Sequence, residues 1–170
     1  FCQYLTSREL QKSLAIEPSR SAHANLGTLY YYAGRYDDAA RQYEKALALA
    51  ASDQQVVGSL ADALWLIPGR RPEAVSLYEK AAHLAGESLK VNPVDAQVIA
   101  QLGYYNGRIG DTERSMRELA RAEALRQDDM YVQYFIALAA AYDREGAKER
   151  DGMGRAESIG YRRKMIEAEP

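Results

Sequence analysis

The stretch NLGTLYYYAGRYDDAARQYEKALAL, residues 25–49, decides the fold. Counted from Gly27, small and bulky side chains follow at fixed intervals: Tyr30 at +3, Gly34 at +7, Ala39 at +12, Tyr43 at +16 and Ala46 at +19. Gly34 suits the left-handed position that ends a helix, and the acidic residues after it suit the start of the next helix. The small residues let two antiparallel helices approach closely. The stretch therefore predicts a helix pair.

The same spacing recurs three times along the chain. Gly103 begins a copy with Gly110 at +7, and Ala61 begins another whose Gly69 is delayed by one residue. Ala139 begins a fourth copy, in which Gly146 is expected to end the first helix. The four anchors are 34, 42 and 36 residues apart. Repeats of this length form helix pairs that each cover the apolar face of a neighbour. The predicted fold is all-α, a right-handed α-solenoid of stacked antiparallel helix pairs.

The pattern resembles the tetratricopeptide repeat almost residue for residue, and the resemblance covers about residues 7–159. It divides the single domain, residues 1–170, into six consecutive parts: the second helix of a preceding repeat (1–19), three repeats (20–53, 54–95 and 96–129), a degenerate repeat (130–160) and a terminal helix (161–170). Because the chain starts at Phe1, within a predicted helix, we expect it to be a piece of a longer polypeptide.

The order of the elements resembles repeat regions found C-terminal to bacterial serine/threonine kinases, adenylate cyclases and winged-helix regulators. That resemblance implies a sensory or interaction domain whose catalytic or DNA-binding part lies upstream. No kinase or cyclase motif is visible in residues 1–170.

Two departures from the repeat carry structural expectations. The second helix of the second repeat is seven residues longer than usual, which predicts a helix over 72–91, roughly 30 Å long. In the last repeat, Asp151 and Arg155 replace a small and an apolar residue, and Gly152 and Gly154 each weaken a helix by roughly 1 kcal/mol. We expect a shortened or irregular helix there, followed by a short helix over 162–168.

Composition and motifs argue against catalysis. The 22 basic and 24 acidic residues are interspersed and give a net charge of −2, so neither nucleic acid nor membrane insertion is predicted. Cys2 is the only cysteine, and His23 and His83 have no partner at metal-ligand spacing. We therefore predict no catalytic residue, no metal, no cofactor and no enzyme activity. The expected compartment is the cytoplasm, or the periplasm if a transmembrane segment precedes this stretch.

The first helix of each pair should line the concave side of the solenoid, where a protein or peptide partner would bind. Phased from Gly27, the predicted groove residues are Asn25, Thr28, Tyr31, Tyr32, Asp62, Trp65, Gln101, Tyr104 and Arg108. In the fourth copy the same phase favours Gln133, Ile136, Ala140 and Asp143. Trp65 is the expected hot spot, because tryptophan, tyrosine and arginine most often anchor interfaces. For Tyr32, packing between neighbouring helices is an equally good interpretation.

Two alternatives remain open at this stage. Chaperone-binding members of the family hold a terminal carboxylate with lysines and asparagines, but the corresponding positions here carry Ala24, Thr28, Gly58 and Asp62, which argues against that ligand. Exposed end helices would instead allow self-association, which makes a structural module that oligomerises its parent protein the alternative function. A small molecule in the groove is compatible with the sequence as well.

Overall fold

The computed structural model describes the backbone of residues 19–150 and the side chains of residues 19–142. This stretch contains seven α-helices and no β-strand: α1 (Arg20–Tyr32), α2 (Tyr36–Leu49), α3 (Gln54–Trp65), α4 (Arg71–Val91), α5 (Ala96–Arg108), α6 (Thr112–Leu125) and α7 (Met130–Arg150). The predicted all-α fold class is confirmed.

The helices form consecutive pairs. Helix α1 packs on α2, α3 on α4 and α5 on α6, and these are the most extensive contacts between helices. The second helix of each pair then packs on the first helix of the next, α2 on α3 and α4 on α5. This arrangement confirms an α-solenoid of helix pairs, while its right-handed sense stays a prediction.

Close helix contacts explain the small residues of the repeat. A Cβ atom on Gly27 would lie 2.7 Å from Cε1 of Tyr43, and one on Gly103 would lie 2.8 Å from Cγ of Leu119. The alanines at +12 and +19 of the first pair, those one residue later in the second pair, and the +19 alanine of the third are completely buried: Ala39, Ala46, Ala74, Ala81 and Ala122. The spacing seen in the sequence therefore corresponds to the contact surface within and between pairs.

The turns are fixed by glycines and by carboxylate caps. Gly34, Gly69 and Gly110 have φ angles of 74°, 82° and 91°, which is the left-handed region expected after a helix. Asp53, Asp95, Asp111 and Asp129 each accept hydrogen bonds from backbone N–H groups in the first turn of the following helix.

Gly146 does not behave as predicted. Helix α7 runs through it and continues to Arg150. A single glycine inside a helix costs only about 1 kcal/mol, and the helix-forming sequence Ala147-Lys148-Glu149-Arg150 follows it. The expectation of a helix end at Gly146 was therefore wrong.

The long helix is confirmed as α4, which has 21 residues from Arg71 to Val91. Its last residue, Val91, is 88% exposed. The helix of a preceding repeat (1–19, apart from Ser19), the irregular helix around Asp151 and the terminal helix over 161–170 were also predicted. These lie outside the described residues.

Candidate functional site

The first helices of the three pairs, α1, α3 and α5, form the side of the stack that is predicted to be concave, and side chains of α7 lie against all three. Within the preceding pair, α3 and α5 pack mainly on the second helix. Helix α7 instead packs mainly on α5 and only lightly on α6. Its side chains also reach the earlier repeats, since the Tyr142 ring lies 5.6 Å from the Trp65 ring of α3. Helix α7, which is the first helix of the fourth repeat, thus covers the groove instead of extending the stack.

A buried arginine lies beneath the C-terminal part of this helix. The guanidinium carbon of Arg108 is 4.3 Å from the ring centre of Trp65 and 4.2 Å from that of Tyr142. The rings of Tyr78 and Tyr104 lie at 4.9 and 5.8 Å. Its Nε is buried without a hydrogen-bond partner among the described residues. We call Arg108 and these four rings the arginine cage, which holds the cation by cation–π contact.

Asp62 joins the arginine cage to the helices behind it. Its Oδ1 accepts hydrogen bonds from the hydroxyls of Tyr78 and Tyr104, each at 2.6 Å. Burial raises the pKa of both tyrosines well above the ordinary value, and the negative charge of Asp62 adds to the increase. Both phenols therefore stay protonated and donate to the carboxylate. These two hydrogen bonds to Asp62 connect α3, α4 and α5.

A cleft of about 180 Å³ remains between α1, α3 and α7. We call it the tyrosine cleft, and its lining includes Thr28, Tyr31, Tyr32, Gly58, Ser59, Asp62, Tyr131, Tyr134 and Leu138. Thr28 donates to the carbonyl of Ala24 at 3.0 Å and lies 3.1 Å from the Tyr43 hydroxyl. Burial and the Tyr32 hydroxyl raise the pKa of Tyr134. The tyrosine cleft offers aromatic faces, hydroxyls and one carboxylate, and none of the described residues that line it is a lysine or arginine.

A wider cleft of about 570 Å³ lies at the first turns of α3 and α5. This glutamine cleft is lined by residues that include Arg20, Asp53, Gln54, Gln55, Asp95, Gln97, Gln101 and Tyr131. Gln101 donates through Nε2 to the Tyr131 hydroxyl at 3.1 Å, and Gln97 donates to Asp129 at the same distance. Because Gln55 and Tyr131 line both clefts, the two clefts adjoin each other.

Comparison with known proteins agrees with this geometry for the first helix pair. A family model described as the tetratricopeptide repeat matches residues 21–53, which covers α1, α2 and the turn after them. Residues 21–53 are a tetratricopeptide repeat. The following pairs, α3 with α4 and α5 with α6, continue the same stack.

Solved structures similar to this chain include two crystal structures of MamA. The first has a TM-score of 0.49 and 20% sequence identity, with 95% of this chain and 85% of that chain covered. The second has a TM-score of 0.48 and 20% identity, with 95% and 79% covered. Among curated proteins, none matches the sequence.

The predicted groove residues of the helical stack fall into four places. Those in the tyrosine cleft are Thr28, Tyr31, Tyr32 and Asp62. Gln101 lines the glutamine cleft, and Asn25 is exposed on α1 outside both clefts. Trp65, Tyr104 and Arg108 belong to the arginine cage.

Tyr104 and Arg108 do not face an open groove. They are 4% and 7% exposed, because α7 and the neighbouring rings cover them. The prediction that both side chains are accessible on the concave surface was wrong for this arrangement. Whether they contribute to partner binding stays a prediction.

Sequence reasoning missed the aromatic face of α7. It assigned Gln133, Ile136, Ala140 and Asp143 to the groove, on the assumption that α7 stacks like α3 and α5. The residues that meet the groove are instead Tyr131, Tyr134, Phe135, Leu138 and Tyr142. Their spacing of three, one, three and four residues defines one helix face, and this signal was present in the sequence.

The described part of the chain offers no other chemical centre. Within it, no group of three or more His, Cys, Asp or Glu residues is arranged to hold a metal ion. His83 and Glu87 approach to 3.9 Å on the surface of α4, with the imidazole largely exposed. Across the same residues, no helix is long and apolar enough to cross a membrane.

Proposed function

We propose that this chain is a non-catalytic scaffold that binds a protein or peptide on its concave side. The observation that carries the proposal is the pair of adjoining clefts along α1, α3 and α5, the tyrosine cleft and the glutamine cleft, which share Gln55 and Tyr131. Stacked helical repeats characteristically create extended concave binding surfaces. The tetratricopeptide repeat at residues 21–53 supports the same class of function.

The chemistry of the two clefts suits a polypeptide ligand. Tyr31, Tyr32 and Tyr134 offer broad rings with a polar tip, a combination enriched at interfaces. The amides of Gln55 and Gln97, which are exposed, can both donate to and accept from a peptide backbone. The site thus combines apolar contact area with groups that can fix the orientation of a bound chain.

The charges disfavour an acidic tail as the ligand. Among the described residues of the two linings, Arg20 is the only basic one, and it forms an ion pair with Asp53. Asp62 and Asp95 add negative charge. Since a carboxylate entering either cleft would meet these side chains, we propose a partner segment that is neutral or basic.

The larger context is also a proposal. The order of repeat, long helix and degenerate repeat supports a sensory or interaction domain of a larger bacterial signalling or regulatory protein. In that context the domain would lie in the cytoplasm, or in the periplasm behind a transmembrane segment. The sequences adjacent to this stretch in the full-length protein test the proposal directly.

Binding can be tested before the natural partner is identified. Peptides selected from a displayed random library on the full chain should bind wild type, and Tyr32→Ala should weaken their binding by about ten-fold or more, as expected for a hot-spot tyrosine. Tyr32 is half exposed and lines the tyrosine cleft, so its removal should not disturb the core. Met116→Ala on α6, which removes another exposed side chain, is the matched control. Binding that survives Tyr32→Ala but is lost in Met116→Ala would place the site elsewhere.

Self-association is the second candidate function. It is favoured by large apolar side chains that are exposed at the surface, Val91, Val94 and Met130. Sedimentation over a wide concentration range would separate the two functions. A concentration-dependent dimer that is lost in Val91→Ser/Met130→Ser would support self-association, whereas a monomer at every concentration would exclude it.

A further inference from the structure

We infer that α7 occupies the groove as an internal ligand, and that the partner is an α-helix with aromatic side chains on one face that takes the place of α7. This inference rests on the proposed function and names the class of partner. It starts from the position of α7, which lies on α5 instead of stacking on α6 as the earlier first-position helices stack on their predecessors. Helix α7 is therefore placed as an occupant of the groove and not as a further layer of the stack.

The contacts of α7 define what the groove accepts. Tyr131, Tyr134, Phe135, Leu138 and Tyr142 follow the i, i+3, i+4, i+7, i+11 pattern of a helix laid into a groove. Phe135 packs 5.6 Å from Tyr104, and Tyr142 packs 5.6 Å from Trp65. One aromatic face therefore reaches both α5 and α3, while Tyr131 and Tyr134 extend it along the clefts.

The fit of α7 leaves room for a better ligand. A solvent-accessible cleft of about 180 Å³ stays unfilled between α7, α1 and α3. The walls of this space carry the rings of Tyr31, Tyr32 and Tyr134. A helix with a larger side chain than Leu138 at the central position would bury more of this aromatic surface. Such a helix can bind more tightly than α7 to the same groove.

Polar contacts specify two positions of the replacing helix. The Tyr131 hydroxyl accepts a hydrogen bond from the Gln101 amide at 3.1 Å. The residue of the partner helix that takes the place of Tyr131 should therefore carry a hydrogen-bond acceptor at the tip of a ring. The Tyr142 ring covers the Arg108 guanidinium at 4.2 Å, so an aromatic residue eleven positions later should preserve the arginine cage. Asp62 in the lining disfavours an acidic residue between them. The partner is thus a helix with aromatic ends and a neutral or basic middle.

A competition experiment on the full chain tests the inference. The probe is an amidated synthetic peptide of residues 130–142, MYVQYFIALAAAY, with two lysines added at each end for solubility. The sole tryptophan, Trp65, contacts Tyr142 and Arg108 and reports binding by fluorescence, since the probe contains no tryptophan. Tyr142→Ala loosens the attached α7, so it should bind the probe at least ten-fold more tightly than wild type. A control peptide with alanine in place of Tyr131 and Phe135 should bind neither protein.

The outcomes separate this inference from the proposed function. Equal probe affinity for wild type and Tyr142→Ala would overturn it, as would library-selected peptides that bind wild type without displacing the probe. In both cases the scaffold function stands. Failure of every library peptide to bind would count against the scaffold function itself. Conversion of Tyr142→Ala into a dimer that exchanges α7 would overturn the helical-partner assignment in favour of a second copy.

Hydrogen exchange of wild type gives a readout that does not depend on a variant. Amides of α7 should exchange faster than those of α5, and a selected peptide should speed α7 exchange further while it slows that of α5. Protection of α7 equal to that of α5, unchanged by any bound peptide, would show that α7 is a permanent part of the core and would overturn the inference.

Discussion

The guanidinium carbon of Arg108 lies 4.2 Å from the centre of the Tyr142 ring, and this contact attaches the middle of α7 to the third helix pair. Arg108 also lies over the Trp65 ring of the second pair at 4.3 Å. One buried cation therefore connects α3, α5 and α7. Arg108 is buried and has no ion pair among the described residues, so cation–π contacts with the Trp65 and Tyr142 rings stabilise its charge. This stabilisation explains why α7 lies across the concave side.

The arginine cage should depend on the shape of the guanidinium. Arg108→Lys keeps the charge but replaces a planar group by a compact, strongly hydrated ammonium, so we expect a loss of about 1–2 kcal/mol in the free energy of unfolding. Urea unfolding measures the loss. Arg117→Lys on α6, where the side chain is exposed, should change nothing and is the control. Equal stability of the two variants would mean that the cage contributes little.

The glycine contacts predict opposite effects at two helical positions. Gly27→Ala places a Cβ 2.7 Å from Tyr43 and should destabilise the protein by about 1–3 kcal/mol through overpacking. Gly86→Ala on α4 meets nothing within 4 Å and should stabilise it by up to about 1 kcal/mol, since alanine favours a helix. Thermal and urea unfolding of both variants would show whether the free energy of unfolding falls in Gly27→Ala and rises in Gly86→Ala. A Gly27→Ala protein as stable as wild type would mean that α1 and α2 are packed in another phase.

These glycine and alanine contacts show which part of the fold was predictable. The residues at +0, +12 and +19 act locally, because each meets a helix within one or two elements along the chain. Tyr43, at +16 from Gly27, and Tyr78, at the equivalent place in the second pair, are both buried. Repeat spacing alone therefore predicted the helix pairs, the long helix and the turns at Gly34 and Gly110.

The position of α7 could not be obtained in the same way. Its aromatic residues can pack either on a preceding pair or in the groove, and the choice depends on contacts with Trp65 and Tyr104, which lie far away in the sequence. The sequence analysis assumed the regular stack and treated Tyr104 and Arg108 as groove surface. The spacing of Tyr131, Phe135 and Tyr142 indicated an aromatic face, but did not indicate what that face covers.

The start of α7 should depend on one carboxylate. Asp129 accepts hydrogen bonds from the backbone N–H groups of Tyr131 and Val132 at 2.9 and 3.2 Å. Asp129→Ala should therefore cost about 0.5–2 kcal/mol, a typical value for a lost N-cap. Asp128→Ala changes the neighbouring, exposed carboxylate and is the matched control for charge. The measurement is the unfolding free energy at neutral pH, and two variants of identical stability would exclude a capping role.

Stability should fall at alkaline pH. Burial raises the pKa of Tyr78, Tyr104 and Tyr105 well above the ordinary value of 10.0. Since the folded-state pKa values exceed the unfolded ones, these phenols contribute stability that is fully present below about pH 10 and lost as the pH rises toward the folded-state values. Unfolding free energies measured from pH 8 upward should therefore decline above pH 10.

Tyr104→Phe removes one of these phenols and provides the comparison. Its stability should decline less steeply above pH 10 than that of wild type, even though the loss of the hydrogen bond to Asp62 lowers its stability at neutral pH. Parallel pH profiles for the two proteins would mean that Tyr104 ionises as freely when folded as when unfolded.

The contact between Trp65 and Tyr142 tests the account most directly, because it exists only if α7 lies across the concave side. Trp65 is the sole tryptophan, so its indole resonances are unambiguous in a nuclear Overhauser spectrum of the full chain. With ring centres 5.6 Å apart, cross-peaks between the Trp65 indole and the Tyr142 ring are expected, together with cross-peaks to Tyr78. Cross-peaks from Trp65 to Tyr78 without any to Tyr142 would keep the helix pairs but contradict the covered groove.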